Sequence, residues 1–280
     1  MAIEVFAPAK INLALHVTGR RADGYHLIDS LVAFASIGDR VTVARSDQLS
    51  LEIAGPEAGG LKANADNLVL QAARLFDPGC TATITLVKNL PVASGIGGGS
   101  ADAAATLKAL ATAYDRRVPE PAATMRLGAD VPACMTGRPL RLSGIGDMIA
   151  DVPPLPALDI VLVNPRIGLA TPDVFAALTS RSNAPMHRQL PRWADPAAFC
   201  EWLCDMRNDL LEPATRLVPE IASILAAIRD TGCLFAGMSG SGATCFGLFP
   251  PDRGRAKVAR DHLQAKHPEW WCRNGTLGTG

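Results

Sequence analysis

Residues 90–114 read LPVASGIGGGSADAAATLKALATAY, and the rest of the chain is best read outward from them. Four glycines, Gly95, Gly97, Gly98 and Gly99, precede Ser100 and an alanine-rich run that ends at Tyr114. Just upstream, residues 81–87 (TATITLV) set Ile84 and Leu86 between threonines, a period-two pattern that predicts a strand. Strand, glycine loop and helix in that order build an anion site. Glycines let backbone N–H groups approach an oxyanion closely, and a helix N-terminus adds unpaired donors and the positive end of its dipole. A flexible linker is the competing explanation, but linkers do not sit directly between a strand pattern and strong helix formers. The loop is not a Walker A motif, because G-x-x-x-x-G-K-[ST] occurs nowhere in the chain. Nor is it a dinucleotide fingerprint, since Ser100 stands where the third glycine or alanine belongs.

The 280 residues suffice for one large domain or two moderate ones, and 48% hydrophobic against 19% charged residues is a globular balance. The formal net charge is zero, so no polycationic surface invites nucleic acid or an anionic membrane. No run of 18 apolar residues and no secretory pattern at the N-terminus is present, and the expectation is a cytoplasmic protein. Seven scattered cysteines without a C-x-x-C pair read as reduced structural thiols, not a metal cluster.

Residues 8–17 (PAKINLALHV) alternate, which places Lys10 and Asn12 on one strand face and Ile11, Leu13, Leu15 and Val17 on the other. That polar pair fits an active-site floor or a solvent-facing edge. Residues 18–30 (TGRRADGYHLIDS) read as a loop holding Tyr25 and His26. Strands are expected at 31–36 and 40–44, divided at Gly38-Asp39, and at 49–53, followed by an amphipathic helix over 67–76 capped from Asp66. Pro119 and Pro121 limit 115–126 to short helices. In LGADVP (127–132), Asp130 beside a proline reads locally as a helix cap. DVPPLP (151–156) is the best boundary candidate, giving domains 1–152 and 153–280. Beyond it come a strand at 158–163, helices at 171–178, 197–206 and 219–230, GMSGSG at 237–242, a strand at 244–249 and a last helix at 253–266. The order reads as a small α+β sandwich.

PAKINL (8–13), GRRADGYH (19–26), GIGGGS (95–100), LGADVP (127–132), NDLLEP (208–213) and GMSGSGATC (237–245) stand together in order. The set resembles the GHMP small-molecule kinase superfamily from about Ala7 to Phe249. Within it, GRRADGYH and LGADVP point to the branch acting on a cytidine diphosphate-linked methylerythritol in non-mevalonate (MEP) isoprenoid synthesis. The resemblance implies a two-domain α+β fold. Its N-terminal domain is like domain 2 of ribosomal protein S5, and its C-terminal domain is a ferredoxin-like α/β sandwich.

It also implies roles. Pro91, Val92, Ala93, Ser94, Gly95, Ile96, Gly97, Gly98, Gly99, Ser100 and Ala101 would wrap the phosphates of ATP, with Asn67 and Lys88 near the adenine. Lys10 and Asp130 would be catalytic. Asp130 would accept the proton of the substrate's 2-hydroxyl, and Lys10 would stabilise the charge developing on the oxygen and the phosphoryl group. Asn12, Tyr25, His26, Thr171, Phe175 and Gly240 would hold the substrate, with Tyr25 and Phe175 stacking the cytosine and His26 bonding its edge. Magnesium is expected with ATP, with no recognisable protein ligand; no obligate protein partner is evident. Ala101 departs from the family, in which a second serine often follows the glycines. A homoserine- or mevalonate-type sister kinase and a non-catalytic ligand sensor are the alternatives.

Overall fold

The computed structural model describes residues 2–251 and 254–278. The first elements are β1 (Ala2–Arg20), β2 (His26–Arg45), β3 (Ser50–Ala54), α1 (Leu68–Phe76), β4 (Ala82–Val87) and α2 (Gly98–Tyr114). There follow α3 (Pro121–Thr124), a 3-10 turn (Met125–Leu127), α4 (Val131–Thr136), β5 (Leu140–Gly144), β6 (Met148–Asp151) and β7 (Leu158–Asn164). The last are α5 (Thr171–Ala176), α6 (Pro196–Cys204), α7 (Leu211–Leu217), α8 (Glu220–Arg229), β8 (Phe235–Met238), β9 (Cys245–Phe249), α9 (Arg255–Lys266) and β10 (Trp271–Leu277). Arg253, which the expected last helix included, lies outside the described residues.

The chain forms two compact units, and β1 and β2 each contribute to both. The first unit takes residues 2–9, Gly38–Val92 and Gly97–Gly137. Here β4 runs parallel to β3 and antiparallel to the second half of β2, with Ile84 opposite both Leu51 and Val43. Ala82, Ile84 and Leu86 are buried, as the alternation requires. Helix α2 packs against α1 and α4. Nearly every α2 residue from Ala101 to Ala111 is buried, and the small alanines let the neighbouring helices approach on several faces. Helix α1 is capped by Asn67, whose Oδ1 accepts from Val69 N at 3.0 Å, and not by the expected Asp66.

The second unit takes Lys10–Ile37, Ala93–Ile96 and residues 138–278. Strand β7 lies between β10 and β9, all antiparallel, with β8 beyond β9. The β5–β6 hairpin pairs with the first half of β2. Helix α8 turns Ile221, Ile224, Leu225 and Ile228 into the core, an i, i+3, i+4, i+7 stripe.

Two further expectations are corrected. No break divides β2 at Gly38-Asp39; it is one strand of 20 residues. A Cβ on Gly38 would sit 2.2 Å from Ala7 O, so this glycine serves close approach of two backbones and not a turn. The loop expected over 18–30 shrinks to a hairpin turn closed by Arg21 N to Tyr25 O at 2.7 Å, with Gly24 at φ +94°. Strand β10 and helix α7 were not anticipated. Residues 271–277 (WCRNGTL) carry no alternation to read, yet they pair with β7 in full register.

Candidate active site

Every residue of β1 from Ala9 to Val17 is buried, so both faces of this strand are interior. Lys10 and Asn12 are 4% and 3% exposed and do not form a solvent edge. In the second unit, β1 meets the glycine loop and the GMSGSG turn. Lys10 N donates to Ile96 O at 2.9 Å, and Asn12 N donates to Ser239 Oγ at 3.1 Å. Ser239 Oγ in turn donates to Gly95 O at 2.9 Å, and Thr244 N donates to Ser94 O at 3.1 Å. Cβ atoms on Gly95 and Gly240 would fall 2.5 Å from Ser239 O and 2.7 Å from Gly95 O, so the two turns interlock only as glycines. Asn208 Nδ2 braces the turn through Met238 O and Gly240 O at 2.8 and 2.9 Å. Asn12 Nδ2 donates to Ser30 Oγ at 2.8 Å.

Along the loop, Ala93, Gly95 and Gly97 take φ of +50°, +75° and +65°. Alternating left-handed residues turn successive N–H groups toward a common side, a backbone nest suited to an anion. The loop then enters α2, whose N-cap Gly97 brings no side-chain cap, leaving the first-turn N–H groups without one. A backbone nest that runs into an uncapped helix start fits nucleotide phosphates.

In the first unit, Lys88 lies beneath that helix start. Its Nζ donates to Asp39 Oδ2 at 2.5 Å and to Asp102 Oδ2 at 2.8 Å. Burial works against the Lys88 charge, but the Asp102 and Asp39 carboxylates outweigh it and raise its pKa. Asp130 stands at the N-cap position of α4 without a side-chain capping bond, against the local reading. A Cβ on Gly128, two residues before it, would lie 3.9 Å from Ser100 Oγ, which sets LGADVP beside the start of α2. Asn67 spends its side chain on Val69 N and on Lys62 O, the latter at 3.1 Å. Among the described residues no group of three or more His, Cys, Asp or Glu could hold a metal ion.

The substrate-end residues lie in the second unit. Phe175 stacks on His26 at 4.7 Å between centroids, with 25° between the planes. Tyr25 is 61% exposed on the hairpin turn. Burial, then Arg20 and Arg181, lower the His26 pKa, and its buried Nε2 has no hydrogen-bond partner. Thr171 opens α5 with its Oγ1 2.9 Å from Ser241 Oγ. Sequence reasoning gave no role to Ser239, Asn208, Asp39 or Asp102. Ser239 and Asn208 do fall within motifs that stood out, GMSGSG and NDLLEP; Asp39 falls where the sequence predicts a break between two strands.

Two family models match the chain: GHMP kinases N terminal domain over residues 67–151 and GHMP kinases C terminal over 186–269. A protein of Ruegeria pomeroyi named 4-diphosphocytidyl-2-C-methyl-D-erythritol kinase is 62% identical, over 99% of this chain and 100% of that one. A Cereibacter sphaeroides protein of the same name is 56% identical over 96% of each. The crystal structure of a 4-(cytidine 5'-diphospho)-2C-methyl-D-erythritol kinase superposes with a TM-score of 0.79 at 34% identity, over 99% of this chain and 100% of that one. Homoserine kinase from Cytophaga hutchinsonii shares the fold alone, with a TM-score of 0.65 at 18% identity. The chain belongs to the 4-diphosphocytidyl-2-C-methyl-D-erythritol kinase family of the GHMP kinases.

Proposed function

We propose that this chain transfers the γ-phosphoryl group of ATP to the 2-hydroxyl of 4-diphosphocytidyl-2-C-methyl-D-erythritol, a step of the non-mevalonate route to isoprenoid precursors. The observation that carries this reading is end-to-end identity of 62% with a protein of that name. Phosphoryl transfer depends on positioning and on charge stabilisation, and little on covalent chemistry. The loop 91–101 holds the phosphates through backbone N–H groups, with Asn67 and Lys88 near the adenine end and Lys88 lying beneath the loop. Asp130 takes the proton of the attacking hydroxyl, and Lys10 offsets the negative charge that builds up in the transition state. Asn12, Tyr25, His26, Thr171, Phe175 and Gly240 hold the substrate. Residues 1–152 carry nucleotide and chemistry, and residues 153–280 close over the substrate. Magnesium, expected with ATP, would supply charge neutralisation on the phosphates, with no protein ligand recognisable for it. The working compartment is the cytoplasm, with no obligate protein partner; no described helix is long and apolar enough to cross a membrane.

The test is phosphorus NMR of the purified chain with MgATP and the cytidine-linked substrate. A new phosphomonoester should grow in step with ADP. No ADP release would favour the ligand-sensor alternative, and ADP release that ignores the substrate would contradict transfer to it.

A further inference from the structure

One buried cluster ties both ends of the glycine loop to a single ammonium. Asp39 comes from β2, Lys88 follows β4, and Asp102 lies on α2; they are 0%, 3% and 3% exposed. Lys88 Nζ bridges the two carboxylates at 2.5 and 2.8 Å. Asp39 Oδ1 accepts the backbone N–H groups of Asn89 and Leu90, at 2.5 and 2.9 Å, immediately before Pro91. Asp102 follows Ala101 directly, so the cluster grips the chain on both sides of 91–101. Lys88 is itself fixed, with its N–H donating to Ala54 O at 2.7 Å and its carbonyl accepting from Glu57 N at 3.1 Å. A Cβ on Gly98 would lie 3.0 Å from Lys88 Nζ, which puts the ammonium directly under the first residue of α2.

An ammonium has three donors, and here two are directed at carboxylates in a site closed to water. A lysine that reads an adenine edge would turn its charge to the nucleotide; this one turns it to the protein's own loop anchors. Resting on the kinase reading above, we propose that Asp39, Lys88 and Asp102 form a positioning clamp. It holds residues 91–101 in the shape that receives nucleotide phosphates, and Lys88 acts through that loop without touching the base. The buried Asp102 Oδ1 has no hydrogen-bond partner, an expense a fold does not keep for packing alone.

Three variants test the clamp by calorimetry and by amide hydrogen exchange. Asp102→Ala removes one jaw and should weaken MgATP binding by at least about tenfold, as misplaced cradle donors do. Exchange of the amides in 91–101 should quicken, while affinity for the cytidine-linked substrate stays unchanged. Asp102→Asn keeps an acceptor for Lys88 and should restore ATP affinity to within about threefold of the parent. Lys88→Met should weaken ATP and GTP by the same factor, because the loop meets only phosphates. A changed ATP-to-GTP ratio would show base contact and overturn the proposal. So would a folded Asp102→Ala variant with normal ATP affinity and only a lowered Tm. If Lys88→Met does not fold, the Asp102 pair decides alone. A parent protein that binds no ATP would overturn the kinase reading, and the clamp with it.

Discussion

Asp130 holds the N-cap position of α4 but makes no capping bond there, which separates its two readings. Asn in its place can neither take a proton nor carry charge, so Asp130→Asn should lower kcat by about 10²–10⁴. ATP affinity should hold, and stability should stay within about 0.5 kcal/mol, since no cap is lost. Steady-state kinetics and a urea midpoint on one sample check this; turnover within about threefold of the parent removes Asp130 from the chemistry. Two buried groups predict opposite pH effects. Burial pushes the Asp102 carboxyl up to about 7, with Asp39 adding to the rise against the pull of Lys88. A carboxyl raised on folding contributes stability that is full below its unfolded pKa and lost as pH rises through about 7. The Tm of Asp102→Asn relative to the parent should therefore climb from pH 6 to pH 8. His16 goes the other way, lowered by burial and by Arg207. It accepts from Arg207 N through Nε2 at 3.2 Å and donates from Nδ1 to Ala184 O at 3.1 Å, the neutral tautomer. Its contribution is lost as pH falls below 6.5, so His16→Gln should flatten the acid limb of the Tm profile.

At the scale of elements, the glycine loop was legible because its neighbours were: an alternating strand before it and alanines after it. Gly98→Val should weaken ATP binding, for a Cβ there would lie 3.0 Å from Lys88 Nζ and the rest of the side chain would push the start of α2 out of place. Unchanged affinity by calorimetry in a folded variant would count against the loop as cradle. Gly38 was misread, because a glycine-aspartate pair looks the same whether it turns a chain or lets two strands touch. Gly38→Ala should destabilise the protein by about 1–3 kcal/mol, the usual cost of overpacking, read as a lower urea midpoint with the slope unchanged. Lys10 and Asn12 lie on a strand, as the alternation predicts, but alternation alone does not tell that β1 is covered on both sides.

Across the whole molecule, the chemistry-bearing motifs were legible and the way the chain is shared between units was not. β1 and β2 are continuous strands that serve two units, and hydrophobic pattern marks a strand without saying which core each half enters. β10 escaped for a related reason: Arg273, Asn274, Gly275 and Thr276 give no apolar signal, and only pairing with β7 makes them a strand. The roles of Ser239 and Asp39 rest on contacts more than 50 or 140 residues away along the chain, between Asp39 and Leu90 and between Ser239 and Gly95, which no local pattern encodes.

Substrate choice tests the account as a whole. Coupled ADP release should be measured with the cytidine-linked methylerythritol, with free methylerythritol 4-phosphate, and with homoserine and mevalonate. The account predicts that removing the cytidine lowers kcat/KM by at least about tenfold, the lower end of what one lost base–aromatic stack costs. Homoserine and mevalonate should be turned over still less. Equal turnover of the unlinked phosphate, or faster turnover of homoserine or mevalonate, would contradict it.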